Sequence, residues 1–188
     1  MNKLELNIFE DKSALKSISW IQMIALIVTL ISMYVLEIFV IHPTGSALIG
    51  REQFGIVGAV FFIIALFFII VIIHEAIHGL FFKVFNPKGK VKFGFKAGMA
   101  YATSPGHVYK RGQFFIIIIM PFVILTAVML FMMFTMPNPA YKYYIALHTA
   151  ACAGDFYYLY LILKHRNLSY AVDTEVGMSL YETKEEAI

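Results

Sequence analysis

An all-α membrane protein is the architecture this sequence predicts: four transmembrane helices, with a small cytosolic β-hairpin between the second and third. Three observations predict it. Of the 188 residues, 60% are hydrophobic and 14% charged, and a soluble domain of that size has no interior large enough for so much apolar side chain. Four stretches, about residues 18–41, 54–82, 114–136 and 141–163, meet the roughly 20 apolar residues that a bilayer crossing needs. The cations are also lopsided. Three Lys precede residue 18, seven Lys or Arg lie between Lys83 and Arg111, and three follow from Lys164 onward, against Arg51 and Lys142 alone on the other side. Short loops rich in Lys and Arg stay inside. The expectation is a multi-pass plasma-membrane protein with both termini and the central loop cytosolic. Residues 1–17 form a cytosolic segment, 18–164 the four-span domain with its hairpin loop at about 84–112, and 165–188 a cytosolic tail.

The same composition excludes other classes. The lone Cys152 cannot form an intramolecular disulfide. A formal charge of +3 is too small to argue for nucleic acid. The bilayer is the expected partner, and the oligomeric state is left open.

Residues 1–17 alternate apolar and polar at Leu4, Leu6 and Ile8, which suits a short strand or an interfacial segment. The first span is too long for a signal-peptide core and reads as a retained anchor. Trp20 marks its cytosolic end. Glu37 and His42, at its outer end, read as interfacial groups snorkelling to water. A short outer loop containing Pro43 leads into the second span, which exceeds the minimum length and is expected to tilt. Asn86-Pro87-Lys88-Gly89 is a turn. Val91, Phe93 and Phe95 alternate with Lys90, Lys92 and Lys96 at strand spacing, and Met99–Thr103 follows as the second arm of a hairpin. One use for that arm is to hold an extended peptide by main-chain hydrogen bonds, through Met99, Ala100, Tyr101, Ala102 and Thr103. The alternative is a lysine-rich loop resting on anionic headgroups. Pro121 is expected to give the third span a kink or a local gap in its backbone bonding. Pro137 and Pro139 end it, and Tyr141, Tyr143 and Tyr144 form an aromatic belt at the start of the fourth.

The second span ends in His74-Glu75-Ala76-Ile77-His78-Gly79. Residues four apart on a helix point from one face, so both imidazoles share it. Ionisable groups among hydrocarbon are costly unless paired or functional. The fourth span holds Asp155, with no Lys or Arg deep in any span to pair with it. His74 lies nine residues before Lys83 and Asp155 nine before Lys164, so both sit roughly 13 Å in from the cytosolic end. His74, His78 and Asp155 thus offer three nitrogen and oxygen donors with a fourth position open, the pattern of catalytic zinc. Zn²⁺ lowers the pKa of water toward about 7, and Glu75 can take the proton. His148 suits an orienting group, an oxyanion donor, an extra ligand or a helix-packing histidine. Cys152 suits a ligand or a small packed thiol. Tyr158 shares the face of Asp155 and suits a hydrogen-bond donor or an aromatic packed toward the headgroups.

These residues carry a resemblance. The His74–Gly79 motif, Ala100-Tyr101-Ala102-Thr103-Ser104-Pro105-Gly106, Met120-Pro121 and Ala153-Gly154-Asp155 resemble a family of small bacterial membrane proteins described as putative zincin peptidases. They are also similar to the three-span core of site-2-type intramembrane metalloproteases. The likeness covers about residues 55–165. It implies zinc held by His74, His78 and Asp155, Glu75 as catalytic acid and base, and hydrolysis of a membrane-embedded or membrane-adjacent peptide. Two points depart from the site-2 pattern: Gly154 precedes the aspartate rather than following it, and no asparagine follows Pro121. The expected function is a zinc-dependent intramembrane or membrane-surface endopeptidase. The alternative is a non-proteolytic membrane metal-binding protein, such as a sensor, transporter subunit or assembly partner. A purely structural scaffold is the third reading.

Overall fold

The computed structural model describes residues 3–49, 51–96 and 98–188. Among them are five α-helices and six β-strands. The all-α expectation is overturned: 64% of the described residues are helical and 15% lie in strands, in two antiparallel sheets, which makes the fold mixed α/β.

Asp11 caps the first helix, its Oδ1 accepting the Ser13 and Ala14 amides at 2.9 and 3.0 Å. This satisfies donors that a helix start leaves orphaned. Helix α1 (Lys12–Leu36) continues into a π-helical turn, Glu37–Ile41, that closes with His42 in the left-handed region. Helix α2 (Arg51–Phe85) bends at Gly55, whose φ is 68°. Helix α3 (Arg111–Thr135) contains the buried Pro121. These three helices, the first counted through Ile41, are long and apolar enough to cross a membrane. The expected fourth span is not one helix. It breaks at Cys152 into α4 (Ala140–Ala151) and α5 (Ala153–Lys164). Cys152 has φ −74° and ψ 7°, outside the helical basin, yet its amide still reaches the His148 carbonyl at 3.1 Å. A break that loses so little hydrogen bonding leaves no mark in an apolar run.

Strands β2 (Lys92–Lys96) and β3 (Met99–Thr103) pair antiparallel between α2 and α3, with Lys92 opposite Thr103. The second sheet was not expected. It runs in the order β1-β6-β5-β4, from β1 (Lys3–Asn7), β4 (Val108–Lys110), β5 (Tyr170–Thr174) and β6 (Gly177–Tyr181). The N-terminal segment is therefore a strand, and the tail is a hairpin that pairs with it, Leu4 opposite Leu180. Gly177 permits this approach: a Cβ there would meet the Leu6 carbonyl oxygen at 1.8 Å. Leu6, Ala171, Met178 and Leu180 point from the sheet onto Phe82, Phe114, Ile117 and Ile162 at the helix ends. That shared core fixes the sheet on the end of the bundle where α2 and α5 finish.

Helix α1 packs on α4 and α5, while α2 packs on α3 and β3. At the opposite end Glu37 is not a group snorkelling to water. It is 6% exposed, and its Oε2 pairs with Lys142 Nζ on α4 at 2.5 Å. A carboxylate and an ammonium on separate helices can be buried together where neither could be buried alone.

Candidate metal centre

Helical spacing stacks His74 and His78 one turn apart on α2, with ring centroids 4.9 Å apart. Asp155 reaches them from the first turn of α5. His74 Nε2 lies 3.1 Å from Asp155 Oδ2, and His78 Nε2 lies 3.4 Å from Asp155 Oδ1. One donor atom from each residue falls within 4.8 Å of the others. Both rings are buried, and Asp155 is half-buried.

The donor chemistry tests whether a metal suits this group. His78 Nδ1 lies 2.9 Å from the Ile117 carbonyl oxygen. A carbonyl only accepts, so that nitrogen carries the hydrogen. In neutral imidazole this leaves Nε2 as a bare lone pair facing Asp155, which also only accepts. Two acceptors brought together in a buried setting need something between them: a proton, carried by the ring or by the carboxyl, or a metal ion. The set is two imidazoles and a carboxylate, one ring already oriented by a backbone carbonyl, and it fits zinc on both counts.

His74 has a different neighbour on its other nitrogen. Its Nδ1 lies 3.8 Å from Cys152 Sγ, which is itself 3.9 Å from both ring nitrogens of His148. The break between α4 and α5 puts the thiol there. His74, His148 and Cys152 make a second donor group sharing His74 with the first. His148 is 2% exposed and stacks on Phe122, with centroids 6.3 Å apart.

Glu75 is half-buried beside the histidines. A cavity of about 540 Å³ joins Glu75, His74, His78, His148, Asp155 and Tyr158 to Met99, Ala100, Tyr101 and Ala102. Four of the five expected strand residues line it. Thr103, 1% exposed, is instead packed away from the cavity.

Part of the cavity wall was missed in the sequence: Ile18 and Gln22 of α1, Ile8 and Phe9, and the β5–β6 turn from Asp173 to Gly177. Gln22 carried a signal, a carboxamide ten residues into an apolar helix. Asp173 is buried, and burial pushes its carboxyl up to about 6. Its Oδ2 accepts the Ser104 amide at 2.9 Å. Tyr109 donates to Ser104 Oγ at 2.7 Å. Ser104 directly follows β3, so the four-stranded sheet holds the end of that strand from two sides. The Lys92–Glu175 pair, 2.9 Å apart, adds a third tie, but both groups are exposed and it contributes little.

A family model described as putative zincin peptidase matches residues 67–170, more than half of the chain. The match includes His74, Glu75, His78, His148, Cys152 and Asp155. It leaves out α1, β1 and β6. No curated protein and no solved structure matches significantly.

Proposed function

From a chain that belongs to the putative zincin peptidase family, and is in coarse terms a zinc metallopeptidase, we propose the finer reading of an endopeptidase that cuts peptides within or at the surface of the plasma membrane. One observation carries it: two Nε2 atoms and a carboxylate converge within 3.4 Å beside Glu75, on helices apolar enough to span a bilayer. His74, His78 and Asp155 hold the ion. When bound, zinc supplies a Lewis acid that polarises a peptide carbonyl and eases deprotonation of water. Glu75 takes the proton of the attacking water and delivers it to the leaving amine as the C–N bond breaks. The unpaired edge of β3, lined up along the cavity from Met99 to Ala102, receives the substrate as an added strand. Both chain termini lie on the cytosolic side in this reading.

The test is Glu75→Gln in proteoliposomes. The variant keeps its zinc by elemental analysis and loses cleavage by about 10²–10⁴-fold. Wild-type cleavage by the Gln protein would overturn the reading. A second reading, metal handling without proteolysis, draws support from the His74–His148–Cys152 group. It requires Glu75→Gln to be silent.

A further inference from the structure

The cavity reaches past the zinc ligands toward lipid. Below His74 it is lined by Phe67, Phe68 and Val71 of α2 and, across from them, by Ile18 and Gln22 of α1. Gln22 and Phe68 are also exposed, so the cavity is open where they line it. A residue that both lines a cavity and meets the surroundings marks a mouth. The packing agrees, because α1 rests on α4 and α5, α2 rests on α3 and β3, and the two have next to no contact with each other. Gln22 lies six residues past Lys16, about 9 Å deep, and Glu75 lies eight residues before Lys83, about 12 Å deep, within one helical turn of each other. The mouth therefore opens at the level of the proposed chemistry.

A membrane helix arriving there meets a physical obstacle. Its backbone groups are satisfied internally, and it must be drawn out straight before Glu75 can reach a peptide bond. Each N–H or C=O freed in hydrocarbon costs several kcal/mol unless a partner is waiting. The β3 edge supplies partners along one side of an extended strand. The opposite side faces α1. Ser17 and Ser19 on α1 are spent on their own helix, donating to the Ser13 and Leu15 carbonyls at 2.9 Å. Gln22 offers two donors and an acceptor at the right depth.

We propose, resting on the peptidase reading above, that a membrane-spanning substrate enters sideways through the mouth between α1 and α2, and that the Gln22 carboxamide binds its unwound backbone. Substrate selection then lies with α1, outside the family-matched region.

The test uses full-length protein in proteoliposomes with two probes. One is a synthetic single-span peptide of leucine and alanine with two central glycines. The other is a short water-soluble peptide carrying the same residues around the glycines. Ile18→Cys/Phe68→Cys protein is joined by a reducible bifunctional thiol reagent; native Cys152 is fully buried and is spared. Linking abolishes cleavage of the spanning peptide, reductant restores it, and the soluble peptide is cut at one rate in both states. Gln22→Leu lowers kcat/KM for the spanning peptide about tenfold with zinc content unchanged, and Gln22→Asn recovers part of that. A photoreactive residue placed at position 22 of Glu75→Gln protein captures the spanning peptide. Undiminished cleavage of the spanning peptide by the linked protein, or no capture at position 22, overturns the proposal. Cleavage of neither probe by the unaltered protein overturns the peptidase reading, and capture at position 22 still decides whether membrane segments enter there.

Discussion

Replacing Lys142 with methionine should strongly destabilise the protein, far from the metal centre. Methionine keeps an apolar stem of similar length, so packing changes little and the charge is what is lost. Glu37 and Lys142 side chains are 6% and 14% exposed. Glu37 Oε1 has no partner among the described residues, so the Oε2–Nζ contact carries the compensation for that buried carboxylate. Breaking a buried pair from one side costs about 3–5 kcal/mol. Lys142 Nζ also sits 5.7 and 5.2 Å from the rings of Tyr34 and Tyr143, each contact worth about 0.5–1 kcal/mol. Glu37→Leu/Lys142→Met removes both charges and should return to within about 1 kcal/mol of the original. The assay is equilibrium unfolding in mixed micelles, read from the fluorescence of Trp20, the chain's single tryptophan, which is carried on α1. The double-mutant cycle should give a coupling of about 2–3 kcal/mol or more. A single variant within about 1 kcal/mol of wild type, or a double variant that loses the sum of both singles, would refute the reasoning.

Other outcomes follow from the site and the sheet. His78→Ala and Asp155→Ala should each lose bound zinc by elemental analysis, and a chelator should inactivate the unaltered protein until zinc is returned. Cys152→Ala removes the one hydrogen-bond neighbour of His74 Nδ1 among the described residues and should weaken zinc about 10–100-fold in a competition titration; Cys152→Ser, which keeps an acceptor, should recover most of it. Asp173 has a folded pKa of about 6, above its ordinary 3.8. The folded state therefore binds the proton more tightly than the unfolded state does. That contribution is full below about pH 4 and is lost as pH rises through 6, about 3 kcal/mol in all. Asp173→Asn retains an oxygen for the Ser104 amide, so its unfolding free energy should be flat across this window and higher than wild type at pH 7. A wild-type protein that gains stability from pH 4 to 6 would contradict this.

The meeting of His74, His78 and Asp155 was legible because helices have a fixed rise and pitch. A four-residue spacing sets the face, and equal distances from Lys83 and Lys164 set the depth. That arithmetic survives the break at Cys152, since Asp155 and Lys164 both lie on α5. The four-stranded sheet was illegible for the converse reason. Lys3 pairs with Tyr181 across almost the whole chain. Five alternating residues say that a strand is possible and nothing about its partner. Glu37 was misread in the same way, because a carboxylate near a helix end suits water until its cation, 105 positions away, is placed beside it. Asp173 and Gln22 fell outside any motif. Each takes its meaning from a neighbour that only folding supplies.

The antiparallel ribbon joining β1 to β6 also sets an order of events during synthesis. Among the described residues β1 precedes all five α-helices and β6 follows them, so the ribbon closes only after those helices have been made. Until then β5 has β4 beside it but no β6, and the β5–β6 turn that completes the cavity wall is not closed. A nascent chain can therefore carry both histidines and the aspartate while the wall of the cavity beside them is still incomplete. In the proposed peptidase, hydrolytic competence would arrive last, and the unfinished enzyme is kept from cutting its neighbours by the sequence in which its own parts appear.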